Sequence, residues 1–192
     1  METPAETARI NDEPEGVAAA RARAAEANPP SAEVGALLAW AATTVGAHTA
    51  VEVGSAGGVS GLWMLEALPA KGVLTSIEPD PPLHALAEQA TAHLSAAGRV
   101  RTILGDAVTV LPRLADGGYD LMLLQGRNAT VETLTHAGRL LKPGGMLLCR
   151  GLVDAHTDGF FQALTDNESF IGTALPIDGF LTIATRVDPE EL

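Results

Sequence analysis

Between Thr49 and Arg150 five short apolar runs alternate with segments of helical spacing, and this alternation constrains the fold more than any other feature of the chain. The runs are "TAVEVG", "GVLTSIE", "VRTILG", "YDLMLL" and "MLLCR". Between them lie "GVSGLWMLEAL", "LHALAEQATAHLSAAG", "AVTVLPRL" and "ATVETLTHAGRLL", and "DGFFQALTDN" follows the last. Strands that are almost wholly apolar must be covered on both faces, which predicts an α/β fold with a central parallel sheet between helices. The closing stretch "SFIGTALPIDGFLTIATRV" predicts two strands about the turn Ile177-Asp178-Gly179, adding an antiparallel strand at one side. Ahead of the first strand, "GVAAARARAAEANPPS" favours helix until Pro29 and Pro30 stop it. Ser31 then caps "AEVGALLAWAATTVG", where Leu37, Leu38 and Trp40 read as helix packing.

A chain of 192 residues suits a single domain over 1–192, with residues 1–13 a flexible acidic segment. The net charge of −12 opposes binding to nucleic acid or an anionic membrane, because the long-range field repels phosphates. It leaves room for a small anion held by a local arginine. Cys149 is the only cysteine, so neither an internal disulfide nor a cysteine zinc site can form. No apolar run reaches the roughly 18 residues of a membrane span, and the polar start "METPAETARINDEPEG" is unlike a signal peptide. A cytoplasmic location is expected.

In open parallel sheets the ligand lies beyond the carboxyl ends of the strands, so the residues just after each strand are the candidates. The turn "VEVGSAGGVSGLWM" has Gly54, Gly57 and Gly58, which let the backbone approach a ligand and aim helix N–H groups at it. A nicotinamide fingerprint needs glycine at 54, 56 and 59; Ala56 and Val59 stand there instead, and valine at the third position obstructs tight helix packing. Glu52 lies inside a buried strand, either contacting a polar ligand or capping backbone N–H groups. Glu78 ends the second strand 24 residues beyond Gly54, where an acid suits ribose hydroxyls. Asp106 ends the third, placed for an adenine amino group or for capping the next helix.

This set resembles the class I S-adenosylmethionine-dependent O-methyltransferases, and within them the catechol and caffeoyl-CoA type, particularly its bacterial members. The resemblance runs over about residues 14–186 through "PSAEVGALL", "VEVGSAGGVSGLWML", "LTSIEPD", "GDAVTVLPRL", "YDLMLL", "GRLLKPGGMLL" and "LPIDGFLTIATR". It implies a Rossmann-like sheet of order 3-2-1-4-5-7-6 with the last strand antiparallel, and S-adenosylmethionine as cofactor. By resemblance Glu52 and Gly54 line the methionine part, Ser60 holds its carboxylate, Glu78 takes the ribose, and Asp106 with Ala107 lies at the adenine. Ser55, Gly58, Pro79 and Gln125 complete the implied cofactor site. Relatives are commonly dimers, which leaves a homodimer open.

The chain departs from that pattern at the fourth and fifth strands. The family's fourth strand usually ends "DADK" and its fifth "DN", which bind a divalent cation and supply a lysine that helps deprotonate the acceptor. In that register Gln125 and Arg127 replace the two acids, Asn128 the lysine, and Arg150-Gly151 the later pair. No metal site is therefore expected, since magnesium prefers anionic oxygens. Arg127 and Arg150 become candidates for fixed positive charge at the acceptor, against pairing with Asp106 or Asp154 or facing solvent. His156 and Asp154 are the nearest candidates for a base, whereas His84, His93 and His136 read as solvated helix faces. The expectation is metal-independent methyl transfer to a small molecule. The alternatives are a cofactor-binding regulatory homologue without catalysis and a nicotinamide oxidoreductase.

Overall fold

The computed structural model describes residues 13, 14, 16–151 and 158–191. Helix α1 (Val17–Arg23) and a 3-10 turn (Ala25–Ala27) precede α2 (Ala32–Thr44). Then come β1 (Thr49–Val53), α3 (Val59–Ala67), β2 (Val73–Glu78), α4 (Pro81–Ala96), β3 (Val100–Leu104) and α5 (Ala107–Val110). They are followed by β4 (Tyr119–Gln125), α6 (Val131–Leu140), β5 (Leu141–Arg150), α7 (Asp158–Thr165), β6 (Phe170–Leu175) and β7 (Leu181–Arg186). The strands form one sheet in the order 3-2-1-4-5-7-6. The first five are parallel, and β7 runs antiparallel to β5 and β6, as the sequence predicts.

Alternate residues of each strand point to opposite faces of the sheet. Val51, Val53, Ile77, Met122, Leu124, Leu147 and Cys149 pack with α5, α6 and α7, while Ala50, Leu74, Leu121, Leu123, Leu148 and Leu181 pack with α2 and α3. Both sets are buried, which is why the strands read as continuous apolar runs. On the α3 face the same alternation continues into polar side chains toward the carboxyl ends: Ser76, Glu52, Gln125 and Arg150 are all buried there. The helices start where the sequence puts caps. Ser31 Oγ accepts from Val34 N at 3.3 Å, Asp80 Oδ1 accepts from Leu83 N at 3.1 Å, and Thr130 forms a capping box with Thr133.

Close approach of α3 to the sheet falls at Gly61, not at residue 59: a Cβ there would lie 2.9 Å from Leu74 Cδ2 and 3.1 Å from Glu52 Oε1. Val59 instead points away into a cluster with Val17, Ala20, Leu62 and Trp63, so it obstructs nothing. Gly57 and Gly58 also serve packing, because a Cβ on either would meet Ala24 or Ala87 and Ala90. Trp63 is buried against α2, where Gly35 leaves room for its indole; a Cβ at 35 would sit 2.1 Å from Nε1. Gly35→Ala is therefore expected to lower stability by about 2 kcal/mol despite its better helix propensity. Urea unfolding of the variant checks this, and an unchanged midpoint would show that the indole can move aside.

Two expectations change. Trp40 is 54% exposed rather than packed. His84 is not solvated: its ring is mostly buried, its Nε2 has no hydrogen-bond partner among the described residues, and its Nδ1 lies 3.7 Å from Glu88. Of the segment 1–13, residues 1–12 lie outside the described residues, and Glu13 accepts from Arg21 Nε at 2.9 Å.

Candidate functional site

A cleft of about 630 Å³ opens at the carboxyl ends of β1, β2, β4 and β5. Its walls are Gly54 and Ala56 from the first turn, the Glu78–Pro81 segment with Leu83, the Gln125–Asn128 turn, Arg150-Gly151, and Ala27-Asn28 from the chain before α2. Gly54 leaves β1 at φ +87, a conformation that favours glycine, and its N–H donates to Ile77 O at 2.9 Å. Glu78 then joins the two strand tips. Its Oε2 accepts from Ser55 N at 2.8 Å and Ser55 Oγ at 3.0 Å, and its Oε1 accepts from Asp80 N at 3.1 Å. A carboxylate has about four lone-pair sites, so Glu78 still has capacity for hydroxyl donors in the cleft.

A continuous row of buried hydrogen bonds runs from beneath the cleft floor into its lining at Gln125 and Arg150. Ser76 Oγ donates to Glu52 Oε1 at 2.7 Å and Ser60 Oγ to Glu52 Oε2 at 2.6 Å. Gln125 Nε2 donates to Ser60 Oγ at 3.0 Å and to Gly54 O. Arg150 Nη1 donates to Gln125 Oε1 at 3.4 Å, and Arg150 Nε to Asp178 Oδ2 at 3.3 Å. Glu52 and Ser60 are each 0% exposed and do not line the cleft. Glu52 is satisfied by hydroxyls, not by the backbone N–H groups that a structural reading of the sequence suggested. Burial, opposed by the two serine hydrogen bonds and reinforced by Glu78, raises its pKa to about 7.

At the tips of β4 and β5 the two arginines behave differently. Arg150 is 5% exposed, and its guanidinium also donates to Asn28 O at 2.9 Å and Pro29 O at 3.0 Å. Asp178 Oδ2 in turn accepts from Ser31 N at 2.7 Å. The acid that pairs with Arg150 is thus Asp178 from the β6–β7 turn, not Asp106; Asp154 lies outside the described residues. Arg127 is exposed on the cleft wall, and its guanidinium has no hydrogen-bond partner among the described residues. Asn128 Nδ2 donates to Gln125 O at 2.9 Å and Val53 O at 3.3 Å, tying the 126–128 turn to the end of β1.

These residues do not fit a divalent cation. At the tips of β4 and β5 the side-chain oxygens among the described residues are those of Gln125 and Asn128, both neutral, and Gln125 Oε1 already faces the Arg150 guanidinium. Among the described residues no group of three His, Cys, Asp or Glu side chains could hold a metal.

Of the residues assigned to the site from sequence, Gly54, Glu78, Pro79, Gln125, Arg127 and Arg150 line the cleft together. Ser55 and Gly58 are buried behind its glycine turn, Glu52 and Ser60 lie under its floor, and Ala107 is buried away from it. Asp106 is exposed at the β3 tip, outside the cleft lining, with no side-chain bond to the helix it precedes. His156 lies outside the described residues. Sequence reasoning missed Asn28, Asp80 and Asp178 as parts of the site, and gave Asn128 only as the replacement of a lysine. Asn28-Pro29-Pro30 reads only as a helix stop, and nothing local signals that a segment 121 residues before Arg150 closes over it.

Comparison with known proteins places this geometry in context. Residues 51–150 match the model of a methyltransferase domain. A Mycobacteroides abscessus protein that bears the name O-methyltransferase is 38% identical over 188 residues, covering 88% of this chain and 87% of that one. Among solved structures, a Corynebacterium glutamicum protein is 26% identical and superposes with a TM-score of 0.82 over 96% of this chain and 94% of that one. The fold is also that of the O-methyltransferase of tomaymycin synthesis from Streptomyces achromogenes, solved with S-adenosylmethionine. That structure gives a TM-score of 0.80 at 23% identity, covering 98% of this chain and all (100%) of that one.

Proposed function

The chain belongs to the class I S-adenosylmethionine-dependent O-methyltransferases, and from that premise we propose that it methylates a small molecule without a divalent metal. The observation that carries the metal-free part is the replacement of anionic oxygens at the β4 and β5 tips by the Gln125–Arg150 pair. The cleft fits the cofactor: Glu78 stands at the β2 tip with acceptor capacity left for ribose hydroxyls, and Gly54 presents bare backbone beside it. Asp106 and Ala107 are assigned to the adenine end, beyond β2. Glu52 and Ser60 are assigned to support of the methionine end from below. When bound, the cofactor supplies an electrophilic sulfonium methyl group, so the chain's part is alignment of the two reactants. Action on a small molecule, rather than on nucleic acid or at an anionic membrane, is supported by the net charge of −12. A homodimer is compatible with this reading. Among the described residues no helix is long and apolar enough to cross a membrane.

Glu78→Gln keeps the side chain's size but removes the charge from the Ser55 bonds and from the ribose site. It is expected to weaken S-adenosylhomocysteine about tenfold or more in calorimetry; unchanged affinity would remove Glu78 from the cofactor site. The activity itself is tested with methyl-labelled cofactor and a panel of hydroxylated aromatic and aliphatic acceptors in EDTA. Labelled methyl ether or ester formed in EDTA is expected. Transfer that disappears in EDTA and returns with magnesium would overturn the metal-free reading. No transfer to any acceptor, with the cofactor bound, would favour the non-catalytic alternative.

A further inference from the structure

We propose that the acceptor carries an anionic group, a carboxylate or a phosphate, and that Arg127 holds it; this rests on the methyltransferase reading above. The cleft is polarised along its length. Glu78 and Asp80 stand at the β2 end, and Arg127 at the β4–β5 end. Arg150, the other cation there, is neutralised by Asp178 and consumed by the carbonyls of Asn28 and Pro29. Arg127 has no such commitment: it is exposed on the wall and lies within 4 Å of no acidic side chain among the described residues.

The backbone around Arg127 is built to present it. The turn is fixed by Asn128, whose amide donates to Gln125 O and Val53 O, so the side chain at 127 projects from a tethered three-residue 3-10 turn. On either side the floor is bare backbone. Gly126 leaves β4 at φ +55 and Gly151 leaves β5 at φ +73, and a Cβ on Gly151 would come 3.8 Å from Gly126. Both glycines line the cleft, so among the described residues no side chain at these two positions fills the space beside the guanidinium at the ends of β4 and β5. A planar guanidinium fits a carboxylate or phosphate through paired N–H···O bonds. The net charge of −12 disfavours an anion at long range, and Arg127 offsets that repulsion locally at the point of binding.

The test uses the full chain loaded with S-adenosylhomocysteine, whose own binding is first measured by calorimetry. Failure of that first titration would count against the methyltransferase reading, not against this inference alone. Benzoate, phenyl phosphate and benzamide are then titrated by ligand-observed NMR against wild type, Arg127→Gln and Arg101→Gln. Arg101 is an exposed arginine of β3 outside the cleft, so its variant controls for net charge. Expected is binding of at least one anion, weakened about tenfold in Arg127→Gln and unchanged in Arg101→Gln, with benzamide insensitive to either change. Preference between benzoate and phenyl phosphate assigns the carboxylate or the phosphate. Binding of neither anion, equal binding of benzamide, or anion affinity unaffected by Arg127→Gln would each overturn the proposal.

Discussion

Arg150→Met is expected to destabilise the protein by about 4 kcal/mol, the range seen when one partner of a buried ion pair is removed. The methionine fills much of the volume but donates no hydrogen bond. Asp178 then keeps its charge with Ser31 N as its remaining partner among the described residues, and the carbonyls of Asn28 and Pro29 lose the guanidinium donor. Three pieces of chain distant in sequence lose their common anchor: the entry to α2, the β6–β7 turn, and the β5 tip. Arg150→Lys should recover little, because a single ammonium cannot reach Asp178, two carbonyls and Gln125 at once. Asp178→Asn tests the same anchor from the other side and should cost less, since an amide oxygen still accepts from Ser31 N. Urea midpoints for the three variants check this order. A midpoint for Arg150→Met within experimental error of wild type would mean that the buried guanidinium is not an anchor.

The second large effect is a pH dependence located at Glu52. The folded state raises this carboxyl from its ordinary 4.5 to about 7, mainly by burial. Between these values the unfolded chain has released the proton and the folded chain retains it, so the folded state binds more protons there. Stability therefore falls as pH rises from about 4.5 to about 7 and levels off above. The loss attributable to this one group is on the order of 3 kcal/mol. Glu52→Gln keeps a donor and an acceptor for Ser60 and Ser76 and carries no titrating proton. The difference between the stability curves of wild type and variant should thus rise across that window in the variant's favour. Parallel curves from pH 4 to 8 would show that Glu52 is ionised in the folded state at neutral pH.

How far the sequence reaches differs between the fold and the site. The parallel sheet covered on both faces follows from local signals, because near-continuous apolar runs separated by helical segments need helices on both sides; the order of its strands is implied only by the family resemblance. Glu52 and Glu78 stood out for the same local reason: a carboxylate in a buried strand and one at a strand tip are each anomalous until given partners. The partners themselves were not legible. Arg150 looks like a free cation at a strand end until Asp178 and the 28–29 segment arrive from 28 and about 120 residues away. Packing also reassigned the glycines, since a Cβ at 57, 58 or 61 would collide with neighbours that only the assembled helices bring near. Trp40 misled for the opposite reason: helical spacing places it on a face but not against a neighbour, and it is 54% exposed.

The proposed cofactor site needs no metal for its occupancy. Calorimetric titration of S-adenosylhomocysteine into the full chain, in EDTA and again in magnesium, tests this. One site with the same affinity and enthalpy in both conditions is expected. Binding that appears only in magnesium would contradict it, as would no binding in either.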